Sequence, residues 1–79
     1  MDELKGTYIV TNSLEDFIKA KLIAESYFTS VIDQRKSNYV SRIIHITPYG
    51  IVRAEVMKDL YLFEDIRKQI LFKDFILNY

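Results

Sequence analysis

The chain has 79 residues, with eleven basic and eleven acidic side chains and no cysteine. This length corresponds to one small domain, residues 1–79, and the lack of cysteine excludes disulfides and thiolate zinc sites. Because His45 is the only histidine, a histidine-rich metal site is excluded too, and we expect no cofactor. The formal net charge of zero leaves no overall positive excess for non-specific nucleic-acid binding.

The sequence shows neither a membrane-spanning segment nor a signal peptide. No apolar run approaches the roughly 20 residues that cross a bilayer. The first residues, MDELKG, are acidic and are not followed by the apolar segment of a signal peptide. We therefore expect a cytoplasmic protein that does not enter a membrane.

A strand and a helix are the first predicted elements. The segment GTYIVTN is rich in β-branched and aromatic residues and predicts a strand. Ser13 is a natural helix N-cap, and an apolar stripe then keeps its helical phase over residues 14–32, which predicts one long helix. In the alternative, the helix ends near Glu25 and residues 27–35 form a strand, because YFTSVI favours extended structure.

The segments YVSRIIHIT and IVRAEVM are the clearest strands, and they flank the tripeptide PYG. Pro48 suits the second position of a type I turn, and Gly50 suits the left-handed position that completes a three-residue loop. This loop predicts a register that matches apolar residues with apolar residues. The predicted pairs are Ile46 with Val52, Ile44 with Ala54, Arg42 with Val56, His45 with Arg53, and Ile43 with Glu55.

The last segment, residues 58–79, has a helical pattern with Asp59 as a candidate cap. Its apolar residues form two arcs, whereas a surface helix needs one stripe. One arc is therefore expected to pack on the sheet and the other to meet a second helix or another chain. The arcs are Leu62, Phe63, Ile66, Ile70 and Leu77, and Tyr61, Phe72, Phe75 and Tyr79. In the alternative, ILFKDFILNY is a terminal strand.

These elements together predict an α+β fold. The sheet is expected to be small, mostly antiparallel and three-stranded, with two helices on one face, in the order β-α-β-β-α.

Catalytic chemistry finds little support among the polar residues. His45 faces a cation, Arg53, in the predicted register, and no nucleophile or carboxylate is placed beside it. Glu15 and Asp16 are explained by the start of a helix, and no calcium-loop or glycine-rich phosphate motif is present. We therefore predict a protein that is not an enzyme and has no metal site.

The polar face of the hairpin is the candidate partner-binding site, formed by Arg42, His45, Tyr49 and Arg53. Arg35, Lys36, Asn38 and Tyr39 lie close to it in sequence. Tyrosine and arginine are common anchors of protein interfaces, which favours a protein partner. A β-ribbon with arginines can also enter a DNA groove, and exposed aromatic residues beside arginines can stack on single-stranded bases. A nucleic-acid-binding or transcription-modulating protein that uses residues 39–57 is therefore the alternative.

The aromatic C-terminal segment is a second candidate contact surface. It carries more apolar side chains than a small core requires, and exposed apolar patches usually mark contacts. We predict a homodimer interface formed by Phe72, Phe75, Ile76 and Tyr79.

The segments YIVTNSLEDFIKAKLIAE and RIIHITPYGIVRAEV give a strand, a helix that begins with SLED, and a hairpin. This outline, which covers about half of the chain, resembles small proteins that bacteriophages and other viruses encode to modulate host machinery, among them short CRISPR inhibitors. The resemblance implies a non-enzymatic inhibitor or modulator that binds a larger host protein. It carries no site residue over to this chain.

Overall fold

The computed structural model describes residues 2–32, 41–62 and 68–79, and it is an α+β fold. Two 3-10 helices, Asp2–Leu4 and Met57–Leu62, accompany two α-helices and five strands in this part of the chain. The α-helices are α1 (Leu14–Tyr27) and α2 (Phe72–Asn78). The strands are β1 (Thr7–Val10), β2 (Thr29–Ser30), β3 (Ser41–Ile46), β4 (Ile51–Val56) and β5 (Lys68–Gln69).

The five strands form one mixed sheet in the order β2-β4-β3-β1-β5. The central pairs, β1 with β3 and β3 with β4, are antiparallel, and the outer pairs, β1 with β5 and β2 with β4, are parallel. The predicted three-stranded, mostly antiparallel sheet with two helices in the order β-α-β-β-α is therefore wrong. The two added strands have only two residues each, too few to show an alternating pattern.

The hairpin of β3 and β4 follows the predicted register at four positions. Ile46 pairs with Val52, Ile44 with Ala54, His45 with Arg53, and Ile43 with Glu55. The fifth predicted pair is wrong. Ser41, and not Arg42, lies opposite Val56, because the register shifts between Ser41 and Ile43. The extra residue of such a bulge displaces the partner by one position.

The three-residue loop of the hairpin is confirmed. The Gly50 N–H donates a hydrogen bond to the Thr47 carbonyl at 2.9 Å, and the Thr47 N–H donates one to the Ile51 carbonyl at 2.9 Å. Gly50 has a φ of 78°, the left-handed conformation that glycine adopts without steric strain. Turn chemistry therefore sets which side chains share each sheet face.

Helix α1 begins as predicted and ends earlier. The Asp16 N–H donates to the Ser13 Oγ at 3.1 Å, which confirms the N-cap. The helix ends at Tyr27, and Phe28 is already extended, with a φ of −135°. A helix over residues 14–32 is therefore wrong, and the alternative that ends near Glu25 is closer. Residues 33–35 of that alternative lie outside the described residues.

The main core lies between one sheet face and the two α-helices. Ile9, Ile44, Ile46 and Val52 project from the sheet toward Phe17 and its neighbours on α1 and toward Phe75 of α2, and all are fully buried. The complete set of buried residues in this cluster is Leu4, Ile9, Phe17, Ala20, Ala24, Ile44, Ile46, Val52 and Phe75.

The opposite sheet face is also covered in part. Tyr8 and Ile43 are buried there, and Leu60 of the second 3-10 helix packs against them. His45 belongs to the same face, since it lies two residues after Ile43. It is only 6% exposed, so the expectation that His45 lies on an accessible polar face of the hairpin is wrong. The hairpin pattern could not predict that Leu60 covers Tyr8 and Ile43 on this face, because Leu60 follows the hairpin in sequence.

The segment of residues 58–79 is not a continuous helix. A 3-10 helix, strand β5 and helix α2 occupy its described part. Asp59 lies inside the 3-10 helix and therefore does not cap an α-helix. The alternative of a terminal strand over residues 70–79 is also wrong, because α2 occupies most of that range. Phe63 and Ile66 lie outside the described residues.

Candidate interaction surface

The four hairpin residues predicted to bind a partner lie in different environments. Tyr49 is 89% exposed at the turn, and His45 is buried. Arg42 is partly buried, and its guanidinium donates to the Ser41 carbonyl at 2.8 Å. Arg53 is exposed and lies 3.6 Å from a carboxylate oxygen of Glu55. The structure therefore does not gather them into one exposed basic patch.

The basic residues that precede the hairpin, Arg35 and Lys36, lie outside the described residues, as do Asn38 and Tyr39. Within the described part, the nearest acidic neighbour of Arg53 offsets its charge. The nucleic-acid alternative therefore has no continuous positive surface among residues 41–56 to support it.

The inward side of α2 is built from aromatic residues. Phe75 is fully buried in the main core, and Phe72 and Tyr79 pack against it from partly buried positions. The rings of Phe75 and Tyr79 have centroids 5.5 Å apart. Phe75 belongs to the core and has no free surface for a homodimer contact. Phe72 and Tyr79 are partly buried, so only part of each side chain is accessible for such a contact.

The outward side of α2 carries exposed apolar residues beside the polar Lys73, Asp74 and Asn78. Leu77 is 82% exposed, Leu71 is 52% exposed and Ile76 is 38% exposed. Together with Phe72 these residues form what we call the α2 surface. Leu71 and Leu77 were not among the predicted interface residues. The sequence indicated a contact role for Leu77 only through its place in the first apolar arc, opposite the arc of Phe72, Phe75 and Tyr79. Leu71 lay in neither arc, so the pattern gave no indication of its role.

Two clefts border the α2 surface. The larger has a volume of about 690 Å³ and is lined by Phe72, Lys73, Asp74, Ile76 and Leu77. The smaller has a volume of about 360 Å³ and is lined by Val10, Asn12, Gln69, Leu71, Phe72 and Lys73. Phe72 and Lys73 line both clefts, so the two adjoin along the start of α2. A side chain from another molecule could enter either one and contact apolar atoms.

A buried charge lies on α1, away from the candidate surfaces. Lys21 is 4% exposed, and its Nζ lies 3.8 Å from a carboxylate oxygen of Glu25 one turn later. Lys21 lies within the apolar stripe, four residues after Phe17 and three before Ala24, so the helical phase alone would have indicated its burial. This pair is a structural feature of the helix, with consequences for stability.

In the described part of the chain, no group of three or more histidine, cysteine, aspartate or glutamate side chains is placed to hold a metal ion. Glu15 lies at the start of α1 and forms an exposed ion pair with Lys19 at 3.5 Å, as a helix surface would. Glu64 and Asp65 lie outside the described residues. The described helices include none with the length and apolar character needed to cross a membrane.

The comparisons give no relative from which a role could be transferred. No protein-family model, curated protein or solved structure matches the chain. The residues and their geometry are therefore the basis for a functional hypothesis.

Proposed function

We propose that this protein is a non-catalytic interaction module that binds a larger protein through the α2 surface. The observation that carries the proposal is the exposure of Leu71, Ile76 and Leu77 beside two adjoining clefts. Contiguous exposed apolar side chains with a cleft are typical of protein-binding sites.

Rigidity also supports this surface. Helix α2 is fixed to the core by Phe75, which is fully buried, and by the hydrogen bond from the Tyr27 hydroxyl to the Tyr79 carbonyl at 2.9 Å. A preorganised surface loses less conformational entropy on binding than a mobile segment does. The exposed leucines therefore lie on a segment whose inward side is fixed to the core.

The hairpin receives less support as the binding site. Its exposed aromatic residue, Tyr49, is a single contact, and Arg53 is already engaged with Glu55. Anchors of an interface usually cluster in a water-excluding patch. The hairpin residues are therefore assigned to the periphery of the binding function or to the fold.

The resemblance to small viral proteins that modulate a host supports an inhibitor or modulator that acts in the cytoplasm of the host cell. The same surface would also serve a second copy of the chain, and sedimentation velocity at micromolar concentration measures that homodimer directly. A dimer that dissociates on Leu77→Lys would place self-association at α2.

Affinity capture from a bacterial lysate tests the proposal when wild-type protein is compared with Leu77→Lys and Leu22→Lys. Leu22 is 58% exposed on α1 and serves as the matched control. We expect a protein to be captured by the wild type and by Leu22→Lys and to be lost with Leu77→Lys. Equal capture by all three variants would contradict the assignment to α2, and recovery of nucleic acid alone would favour the alternative function.

A further inference from the structure

The edge of β1 is covered by β5 along only part of its length. The Ile70 N–H donates to the Tyr8 carbonyl at 2.9 Å, and among the described residues this is the last hydrogen bond along that edge. The Thr11 N–H donates to the Arg42 carbonyl of β3 at 2.8 Å. Because successive residues of a strand direct their backbone groups to opposite neighbours, the N–H and C=O of Val10 point to the β5 side of β1. No other described residue forms a backbone hydrogen bond with them there.

At Val10 this edge borders the smaller cleft, whose other lining residues are Asn12, Gln69, Leu71, Phe72 and Lys73. The cleft therefore combines the backbone hydrogen-bonding groups of Val10 with the apolar side chains of Leu71 and Phe72. That combination suits an extended peptide that adds a strand to a sheet edge, because main-chain hydrogen bonds give affinity and side-chain clefts give selectivity.

The charge at this position is positive. Lys73 lines both clefts, and Lys68 precedes it on the exposed strand β5. Within the part of the chain that the structure describes, neither lysine forms an ion pair. Asp74 borders the larger cleft only. An acidic side chain on a bound segment would therefore be attracted to the smaller cleft.

We propose that the edge of β1 at Val10 and the α2 surface together bind an extended peptide segment that carries an acidic residue beside apolar ones. This inference rests on the proposed protein-binding function and adds the chemistry of the partner. The peptide backbone pairs with Val10, an apolar side chain contacts Leu71 and Phe72, and the acidic side chain meets Lys73.

Selection of a displayed library of random dodecapeptides on the immobilised full chain tests this inference. We expect enriched peptides to contain an acidic residue close to apolar ones. The Kd of a synthetic copy should rise about tenfold for Lys73→Glu, since an attractive pair becomes a repulsive one, and stay near the wild-type value for Lys73→Arg. Lys58→Glu, an exposed lysine on the second 3-10 helix, is the charge-matched control.

Amide hydrogen exchange gives a second readout that needs no variant. The Val10 amide should exchange more slowly in the peptide complex than in the free protein, because it gains a main-chain partner. The inference is overturned if no peptide is enriched, if enriched peptides bind Lys73→Glu as tightly as wild type, or if Val10 exchange is unchanged. If the peptide inference fails in this way but Leu77→Lys still abolishes capture of a lysate protein, the proposed protein-binding function is retained. If capture is also unaffected by Leu77→Lys, the proposed function is contradicted as well.

Discussion

The hydroxyl of Tyr27 donates a hydrogen bond to the backbone carbonyl of Tyr79 at 2.9 Å, and the two rings meet edge to face with centroids 6.3 Å apart. This contact joins the end of α1 to the end of α2, across 52 positions of sequence. It fixes the helix that presents the α2 surface.

Tyr27→Phe should lower the free energy of unfolding by about 0.5–1 kcal/mol, because the substitution keeps the ring contact and removes one partly solvated hydrogen bond. Tyr49→Phe is the matched control, since Tyr49 is 89% exposed and should change stability little. Urea denaturation followed by circular dichroism measures both. Equal effects of the two substitutions would show that the hydrogen bond does not anchor α2.

Phe75→Ala should destabilise the fold by about 3–5 kcal/mol, since it removes a fully buried ring from the core of a small domain. Leu77→Ala, two positions later and 82% exposed, should change the free energy of unfolding by less than about 0.5 kcal/mol. Thermal unfolding of both variants separates the inward side of α2 from its outward side. A large loss on Leu77→Ala would mean that this side chain belongs to the core.

Gly50→Ala should destabilise the hairpin by about 1–2 kcal/mol, because a side chain is strained at a φ of 78°. The added Cβ would also lie 3.3 Å from the Phe28 ring, a tight contact. Tyr49→Ala, at the neighbouring exposed position of the turn, is the control and should be close to neutral. Comparison of the denaturation midpoints of the two variants with that of the wild type measures both effects. An unchanged midpoint for Gly50→Ala would contradict the left-handed turn conformation of Gly50.

The pair of Lys21 and Glu25 should respond asymmetrically to substitution. Glu25→Gln leaves a buried ammonium without its carboxylate and should cost about 1–3 kcal/mol. Lys21→Met replaces the buried lysine by an apolar side chain of similar length and should cost less than about 1 kcal/mol. Glu15→Gln, in the exposed pair with Lys19, is the control and should change stability by about 0.5 kcal/mol. Equal effects of Glu25→Gln and Lys21→Met would show that burial of the charge has no energetic consequence.

The sequence predicted the hairpin because its determinants are local. Pro48 and Gly50 specify the turn, and alternation in β3 and β4 then specifies the pairs. The end of α1 was harder to predict, because Phe28 and Ile32 continue the helical phase of the stripe although both lie beyond the helix and pack against the core. Pairing of Thr29 with Ile51 stabilises the extended form. That pairing is long-range and leaves no periodic signal.

The candidate site was predicted only in part for the same reason. Phe72 and Ile76 were recognised as surplus apolar residues, and the structure leaves both partly or largely accessible. Phe75 was taken for the same surface, but the position of α2 against α1 places it in the core. His45 was expected on an accessible polar face but is buried, and Leu60 of a separate segment covers Tyr8 and Ile43 on the same face. Tertiary packing of distant segments decided each of these outcomes.

Amide hydrogen exchange on the complex with the captured protein tests the central claim most directly. The account predicts slower exchange at residues 71–77 and at Val10, with residues 47–53 of the hairpin turn unchanged. Slower exchange confined to residues 47–53, with α2 unchanged, would contradict it and would assign binding to the hairpin.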